Sequence, residues 1–352
     1  MSVEQLARPE IRALRPYVSA TAEGTSIKLN ANESPVTVET GLAQGINRYP
    51  SIRPRQLAAK LADYYDVNED NILVTRGSSE GIDLLLRTFC NAGEDSMVLT
   101  PPVFELYDIY ATVQGARRIA VPLLAERDFA LDTDALLSAC ETKTKLIFLC
   151  SPNNPVGTGI PAEEILKIAE ARAGQSIVVV DEAYIEFSDR HSLAGRVLEY
   201  DNLVVLRTLS KALALAGARC GAVIAQPQLI QLLDSVLAPY AMSSPVINCT
   251  DKALSAEQLA DARRQIEEVV SERDRLSTEL AACTAVQKVW PSEANFLLVR
   301  FNGLQRVAET LETFGIAIRT FGDNEVLRDC ARITISSVPE NNVLVDALRG
   351  ID

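Results

Sequence analysis

Four short runs of this chain are apolar almost from end to end: "KLIFLC" (145–150), "SIVVVDEAY" (176–184), "NLVVLR" (202–207) and "CGAVIA" (220–225). A strand of that kind cannot leave one face in water. It belongs in the middle of a mostly parallel sheet with helices on both sides. The helix such a sheet needs lies between the first two runs, in "PAEEILKIAEARAG" (161–174), which is amphipathic, begins with proline and ends with glycine. A second helix is expected over "GSSEGIDLLLRTFC" (77–90), with Ser78 or Ser79 as its N-cap and Ile82, Leu85, Leu86 and Phe89 on one side.

The pattern then changes. A long helical region (252–283) precedes "VQKVW", "NFLLVRF", a helix near 303–314, "GIAIR", "ARITIS" and a terminal helix. The expected organisation is therefore an N-terminal arm (1–45), a large α/β domain with its connecting helix (46–283) and a smaller C-terminal α/β domain (284–352). A length of 352 residues suits one large unit plus a smaller one.

Composition removes several function classes. The 34 Lys and Arg against 47 Asp and Glu leave a net charge of −13, which argues against nucleic acid and anionic membrane as partners. No run approaches the 18 apolar residues of a membrane span and the N-terminus has no signal core, so a soluble, cytoplasmic protein is expected. Seven cysteines without CxxC spacing fit reduced, mostly buried thiols. The single histidine, His191, excludes a histidine-based triad and a multi-histidine metal site. Neither a GxxxxGK[ST] loop nor a GxGxxG turn is present, and no metal is expected.

In open α/β sheets ligands bind beyond the carboxyl ends of the strands. After "KLIFLC" comes "SPNNPVG", with Asn153 and Asn154. After "SIVVV" come Asp181 and Tyr184. After "NLVVLR" come Thr208, Ser210 and Lys211, and Arg219 precedes the last run. Taken singly, each has an ordinary explanation as a cap, a turn residue or a solvated lysine. Together, a carboxylate, a phenol, an amide, a lysine and an arginine on one rim suit pyridoxal phosphate. The lysine amine condenses with the aldehyde, and burial and nearby cations keep it deprotonated. The carboxylate keeps the pyridine nitrogen protonated. Hydroxyls, helix N-terminal amides and an arginine bind the phosphate.

"SPNNPVG", "DEAYIEF" and "RTLSKALALAGARCG", in this order and spacing, resemble the fold type I pyridoxal-phosphate aminotransferases. "LNANESP" (29–35), "RYP" (48–50), "TRGSSEGIDLLLRTFC" (75–90), "APYAMSSPV" (238–246) and "CARITIS" (330–336) extend the likeness along nearly the whole chain, toward the histidinol-phosphate aminotransferase family. The resemblance implies a seven-stranded sheet and a role for each matched residue. Lys211 carries the cofactor and shuttles a proton between the substrate α-carbon and cofactor C4′. Asp181 pairs with the pyridinium, and Tyr184 and Asn154 bond the phenolate oxygen. Thr208, Ser210, Arg219, Ser78 and Ser79 hold the phosphate, and Phe104 stacks on the ring. Tyr49 reaches the site of the partner in a homodimer. Arg332, Arg319, Tyr17 and Asn32 bind substrate.

Three positions depart from the family pattern: Val156 replaces a threonine, Ser78-Ser79 replaces Ala-Asp, and Phe104 replaces a tyrosine. None removes a chemical step. The implied reaction is transamination between L-histidinol phosphate and 2-oxoglutarate, yielding L-glutamate, in histidine biosynthesis. A phospho-amino-acid decarboxylase such as one acting on threonine phosphate, or an aromatic amino-acid aminotransferase, would share these motifs. A non-enzymatic regulator that binds pyridoxal phosphate is disfavoured, since Lys211, Asp181 and Arg219 are all present.

Overall fold

The structure is a computed structural model that describes residues 2–16, 31–34, 36, 46–322 and 324–351. Seven strands form the larger sheet: β1 (Ile72–Thr75), β2 (Ser96–Leu99), β3 (Arg117–Ala120), β4 (Thr144–Cys150), β5 (Ile177–Asp181), β6 (Leu203–Thr208) and β7 (Gly221–Ile224). Their spatial order is β1-β7-β6-β5-β4-β2-β3. The central strands are apolar on both faces because both faces are covered. Leu146 and Phe148 of β4 pack into one core with Val179 and Leu206, while Ile147 and Leu149 pack into the opposite one with Val180 and Val205. Strand period two thus assigns every second residue to the same side.

Only β7 runs against the others, pairing antiparallel with both β1 and β6. The sequence pattern predicts a mostly parallel sheet, and the strand of "CGAVIA" is the one that runs against the rest, for a local reason. The chain folds back on itself after β6, and the Leu209 amide donates to the Cys220 carbonyl at 3.0 Å. The reversal has a positional consequence. The N-terminal end of β7 now sits at the rim where its neighbours have their carboxyl ends, and it carries Arg219 there.

The expected helix 77–90 is Ser78–Phe89, but its N-cap is Gly77 at φ 78, not a serine; Ser78 and Ser79 are its first two residues. A side chain at residue 77 is excluded twice. Its φ lies in the left-handed region, and a Cβ there would fall 2.8 Å from Arg219 Nη2. The region 252–283 divides into Ser244–Ala253 and the long helix Ala256–Ala281.

The second sheet is antiparallel throughout, with strands β8 (Val286–Val289), β9 (Phe296–Phe301), β10 (Arg319–Thr320) and β11 (Cys330–Thr334) in the order β10-β11-β9-β8. "GIAIR" contributes only its last residue to β10. Leu276 and Leu280 of the long helix, Val307 and Leu311 of Leu304–Thr313, and Leu344, Val345 and Leu348 of Val338–Arg349 cover this sheet's inner face. Among the described residues no helix is long and apolar enough to cross a membrane.

Candidate active site

The carboxyl rim of the larger sheet borders a cavity of about 250 Å³ lined by Ser78, Ser79, Phe104, Asn154, Asp181, Tyr184, Thr208, Ser210, Lys211, Arg219 and Arg332, among others. Eleven of the fifteen residues singled out in the sequence therefore meet in one space. Arg319 lines an adjoining cleft of about 810 Å³, which shares Phe104, Asn154 and Arg332 with the cavity. Tyr49 lies elsewhere, half exposed, stacked on Tyr240 at 4.6 Å between ring centroids. Asn32 is exposed, with φ 55, and lines neither space. Tyr17 lies outside the described residues.

Asp181 is the last residue of β5 and is almost wholly buried. Its Oδ2 accepts from the Tyr107 hydroxyl at 2.8 Å and its Oδ1 from the Ala183 amide at 3.1 Å. Burial raises its pKa to about 6, and the two hydrogen bonds and the nearby Lys211 charge hold it from rising further. Tyr107 is fully buried, stacked on Phe148 and edge-on to Phe104 at 5.9 Å. The sequence did not disclose this phenol as a site residue, although it stands in "PPVFELY", three residues beyond Phe104, a separation that lets both side chains face one neighbour.

Tyr107→Phe leaves Asp181 with one donor in place of two. The cofactor-free chain is expected to lose about 1–3 kcal/mol at pH 7.5 and less at pH 4.5, where the carboxyl is already protonated. Urea unfolding at the two pH values measures this, and an equal loss at both would contradict it.

Lys211 follows β6 by three residues and lines the cavity, its surface exposed to that space while burial partly desolvates its amine. That burial, then the charges of Arg332 and Arg219, lower its pKa, and Asp181 opposes them. Its Nζ lies 5.7 Å from the centre of the Tyr184 ring. A lysine so placed supplies a neutral amine more readily than one in water.

The Tyr184 hydroxyl accepts from Asn154 Nδ2 at 3.2 Å, and burial raises its pKa, which keeps it a hydrogen-bond donor. Asn153, by contrast, belongs to the turn: its Oδ1 accepts from the Val156 amide and its Nδ2 donates to the Pro102 carbonyl. The other oxygen partner in the cluster is Asn154 Oδ1, which accepts from Arg332 Nη1 at 2.5 Å.

At the opposite end of the cavity, Ser78 and Ser79 open a twelve-residue helix, with the Thr208 hydroxyl donating to Ser210 Oγ at 2.9 Å and Arg219 Nη1 to the same oxygen at 3.3 Å. Arg219 holds φ 53, an uncommon left-handed conformation for a side chain of its size, which turns its guanidinium toward Gly77. Helix N-terminal amides, two hydroxyls and an arginine make an anion cradle. A buried carboxylate, an anion cradle and an amine that line one cavity fit pyridoxal phosphate, whose ring nitrogen, phosphate and aldehyde ask for those groups.

Residues 21–348 match the model of the family described as "Aminotransferase class I and II". The chain belongs to the class I and II aminotransferases. It is thus a pyridoxal-phosphate-dependent aminotransferase, and its fold agrees. It is 41% identical to the histidinol-phosphate aminotransferase of Serratia proteamaculans (strain 568), across 100% of this chain and 97% of that one. It is 40% identical to that of Pectobacterium carotovorum subsp. carotovorum (strain PC1), across 99% and 98%. Among solved structures, the histidinol-phosphate aminotransferase of Sinorhizobium meliloti in complex with pyridoxal-5′-phosphate superposes with a TM-score of 0.78 at 25% identity. That match covers 86% of this chain and 82% of the other.

In this aminotransferase the second sheet brings its own charges to the cavity. Arg319 and Arg332 are register partners on neighbouring antiparallel strands, so their side chains leave the same face. Arg319 Nη2 donates to Glu105 Oε1 at 2.9 Å across the mouth of the cleft, and the Arg332 guanidinium carbon lies 5.4 Å from the centre of the Phe296 ring. Phe296 in turn meets Tyr184 edge-on at 5.2 Å.

Proposed function

We propose that this aminotransferase moves the amino group of L-histidinol phosphate to 2-oxoglutarate, giving imidazole acetol phosphate and L-glutamate, in L-histidine biosynthesis. The observation that carries the substrate assignment is the register pair Arg319–Arg332, which starts both side chains from one face of the second sheet, Arg332 lining the cavity with Lys211 and Arg319 the adjoining cleft. Two adjacent forks suit a phosphate, and one of them suits the carboxylate of the second substrate. The full-length likeness to relatives named histidinol-phosphate aminotransferase supports the same reading.

In this reading Ser78, Ser79, Thr208, Ser210 and Arg219 bind the cofactor phosphate, Asp181 faces the pyridine nitrogen, Tyr184 and Asn154 bond the phenolate oxygen, and Phe104 packs on the ring. When bound, pyridoxal phosphate supplies an electron-withdrawing ring that stabilises charge developing at the substrate α-carbon. Lys211 Nζ would carry the proton between the substrate α-carbon and cofactor C4′, in both halves of a ping-pong cycle. Arg332 binds either substrate's anion and Arg319 adds to phosphate binding, while the resemblance alone assigns Tyr17 and Asn32, the latter lining neither space, to the substrate side. The division of labour is a cofactor-binding unit (46–283), a small domain (284–352) and an arm (1–45). The working form is a cytoplasmic homodimer in which exposed Tyr49 reaches the partner's site.

Arg332→Lys keeps the charge and loses the fork, so the KM for L-histidinol phosphate and for 2-oxoglutarate should each rise about 10-fold. A rise for one substrate alone would separate their binding sites. The reaction itself is tested by following L-glutamate formation from L-histidinol phosphate beside carbon dioxide release from threonine phosphate. Glutamate without carbon dioxide is expected. Carbon dioxide from threonine phosphate would make the protein a decarboxylase.

A further inference from the structure

Arg207 is 6% exposed, stands next to Thr208 at the end of β6, and does not line the cavity. Strand alternation explains this. Asp181 and Thr208 share the side of Val179 and Leu206, whereas Glu182 and Arg207 share the side of Val180 and Val205. On that far side the Arg207 guanidinium donates to Glu186 Oε1 at 2.7 Å and to Ser192 Oγ at 3.0 Å. It also pairs with Glu182 Oε2 at 3.6 Å and lies over the Tyr65 ring at 4.5 Å. Glu182 is fixed in turn by the Ser192 hydroxyl and by the Leu193 amide, which donates to its Oε1 at 2.7 Å.

Each partner adjoins a residue of the cavity. Glu182 follows Asp181. Glu186 lies on the short helical turn Ile185–Phe187 whose N-cap is Tyr184. Arg207 itself precedes Thr208, Ser210 and Lys211. One planar guanidinium therefore joins the backs of three of the segments that would hold the cofactor, those of Asp181, Tyr184 and Thr208–Lys211.

We propose that Arg207 is a positioning residue for the cofactor, fixing from the far face of the sheet the relative placement of Asp181, Tyr184 and the Thr208–Lys211 segment. Stability alone is a poor reason for such a cluster. Buried ion groups repay their desolvation only in part, and apolar replacements of similar volume are often no less stable. What the cluster does supply is direction: a fork and two carboxylates tolerate few arrangements. An error of an ångström at groups that hold a reacting centre is felt strongly in rate. The inference rests on the reading of the cavity as the pyridoxal-phosphate site.

The test uses the holoenzyme of Arg207→Met, Arg207→Lys and Glu186→Gln. Four quantities are read: the visible circular dichroism of the bound cofactor, the cofactor dissociation constant, kcat per bound cofactor, and thermal unfolding. Arg207→Met should weaken cofactor binding about 10-fold and lower kcat at least as much, with an altered dichroism band and partial recovery in Arg207→Lys. Wild-type dichroism, affinity and kcat with only a lower unfolding temperature would overturn the proposal and leave Arg207 a support of the fold. Should Arg207→Met not fold, Glu186→Gln decides, because it keeps size and removes one charge: an unchanged band and affinity there overturn the proposal equally. The dichroism and affinity need no substrate, so they stand apart from any failure to turn over L-histidinol phosphate.

Discussion

Lys211→Ala is expected to lower turnover by a factor on the order of 10²–10⁴ while leaving a protein that folds and still takes up pyridoxal phosphate. The two effects separate because they draw on different groups. The anion cradle of Ser78, Ser79, Thr208, Ser210 and Arg219 and the buried Asp181 remain intact without the lysine. What disappears is the amine whose proton affinity burial, Arg332 and Arg219 reduce. Among the described residues no other lysine lines the cavity to take its place. Steady-state rates with equilibrium dialysis of the cofactor measure both quantities. Full activity in the variant would remove Lys211 from the chemistry.

The second large effect belongs to Asp181. Asp181→Ala should lower kcat on the order of 10²–10³-fold, since on the proposed reading the ring nitrogen loses its buried carboxylate partner. An unchanged kcat would reduce Asp181 to a structural group. Its titration carries an independent signature in the cofactor-free chain. The folded-state pKa is about 6 against an ordinary 3.8, so folding disfavours the charged form. Below about pH 4 the group is protonated in both states and costs nothing. Between pH 4 and 6 the unfolded chain ionises first, and stability falls. Above pH 6 the full difference of about 3 kcal/mol is present. Asp181→Asn should flatten this part of the stability–pH curve, and urea unfolding from pH 4 to 7 compares the two chains. A wild-type slope retained in the variant would assign the titration to another group.

The parts of the fold legible in the sequence are those where local pattern and tertiary surroundings agree. β4, β5 and β6 are buried on both faces and read as such, and helix Ala162–Ala171 opens at its proline N-cap, Pro161, but ends with Arg172 as its C-cap, two residues short of Gly174. β1, β2 and β3 are four residues each, and β3 lies exposed at the sheet edge with the sequence Arg-Arg-Ile-Ala, so no apolar run marks it. The reversed direction of β7 depends on how residues 209–220 fold back, which propensity does not encode. The site was legible where groups follow strands directly, as with Asp181, Thr208 and Lys211. Tyr107 and Arg207 are not legible in the sequence for another reason. Each acts through a partner, Asp181 at a separation of 74 residues and Glu186 at 21, and only the packed sheet brings those partners together.

The most direct measurement is borohydride reduction of the yellow holoenzyme followed by proteolysis and peptide mass spectrometry. One pyridoxyl phosphate addition per chain, on the peptide that carries Lys211, is the expected result. It would fix the cofactor between Asp181 and Arg219, where the structure gathers the groups that suit it. An addition on another lysine, or none, would contradict the assignment of this cavity as the active site.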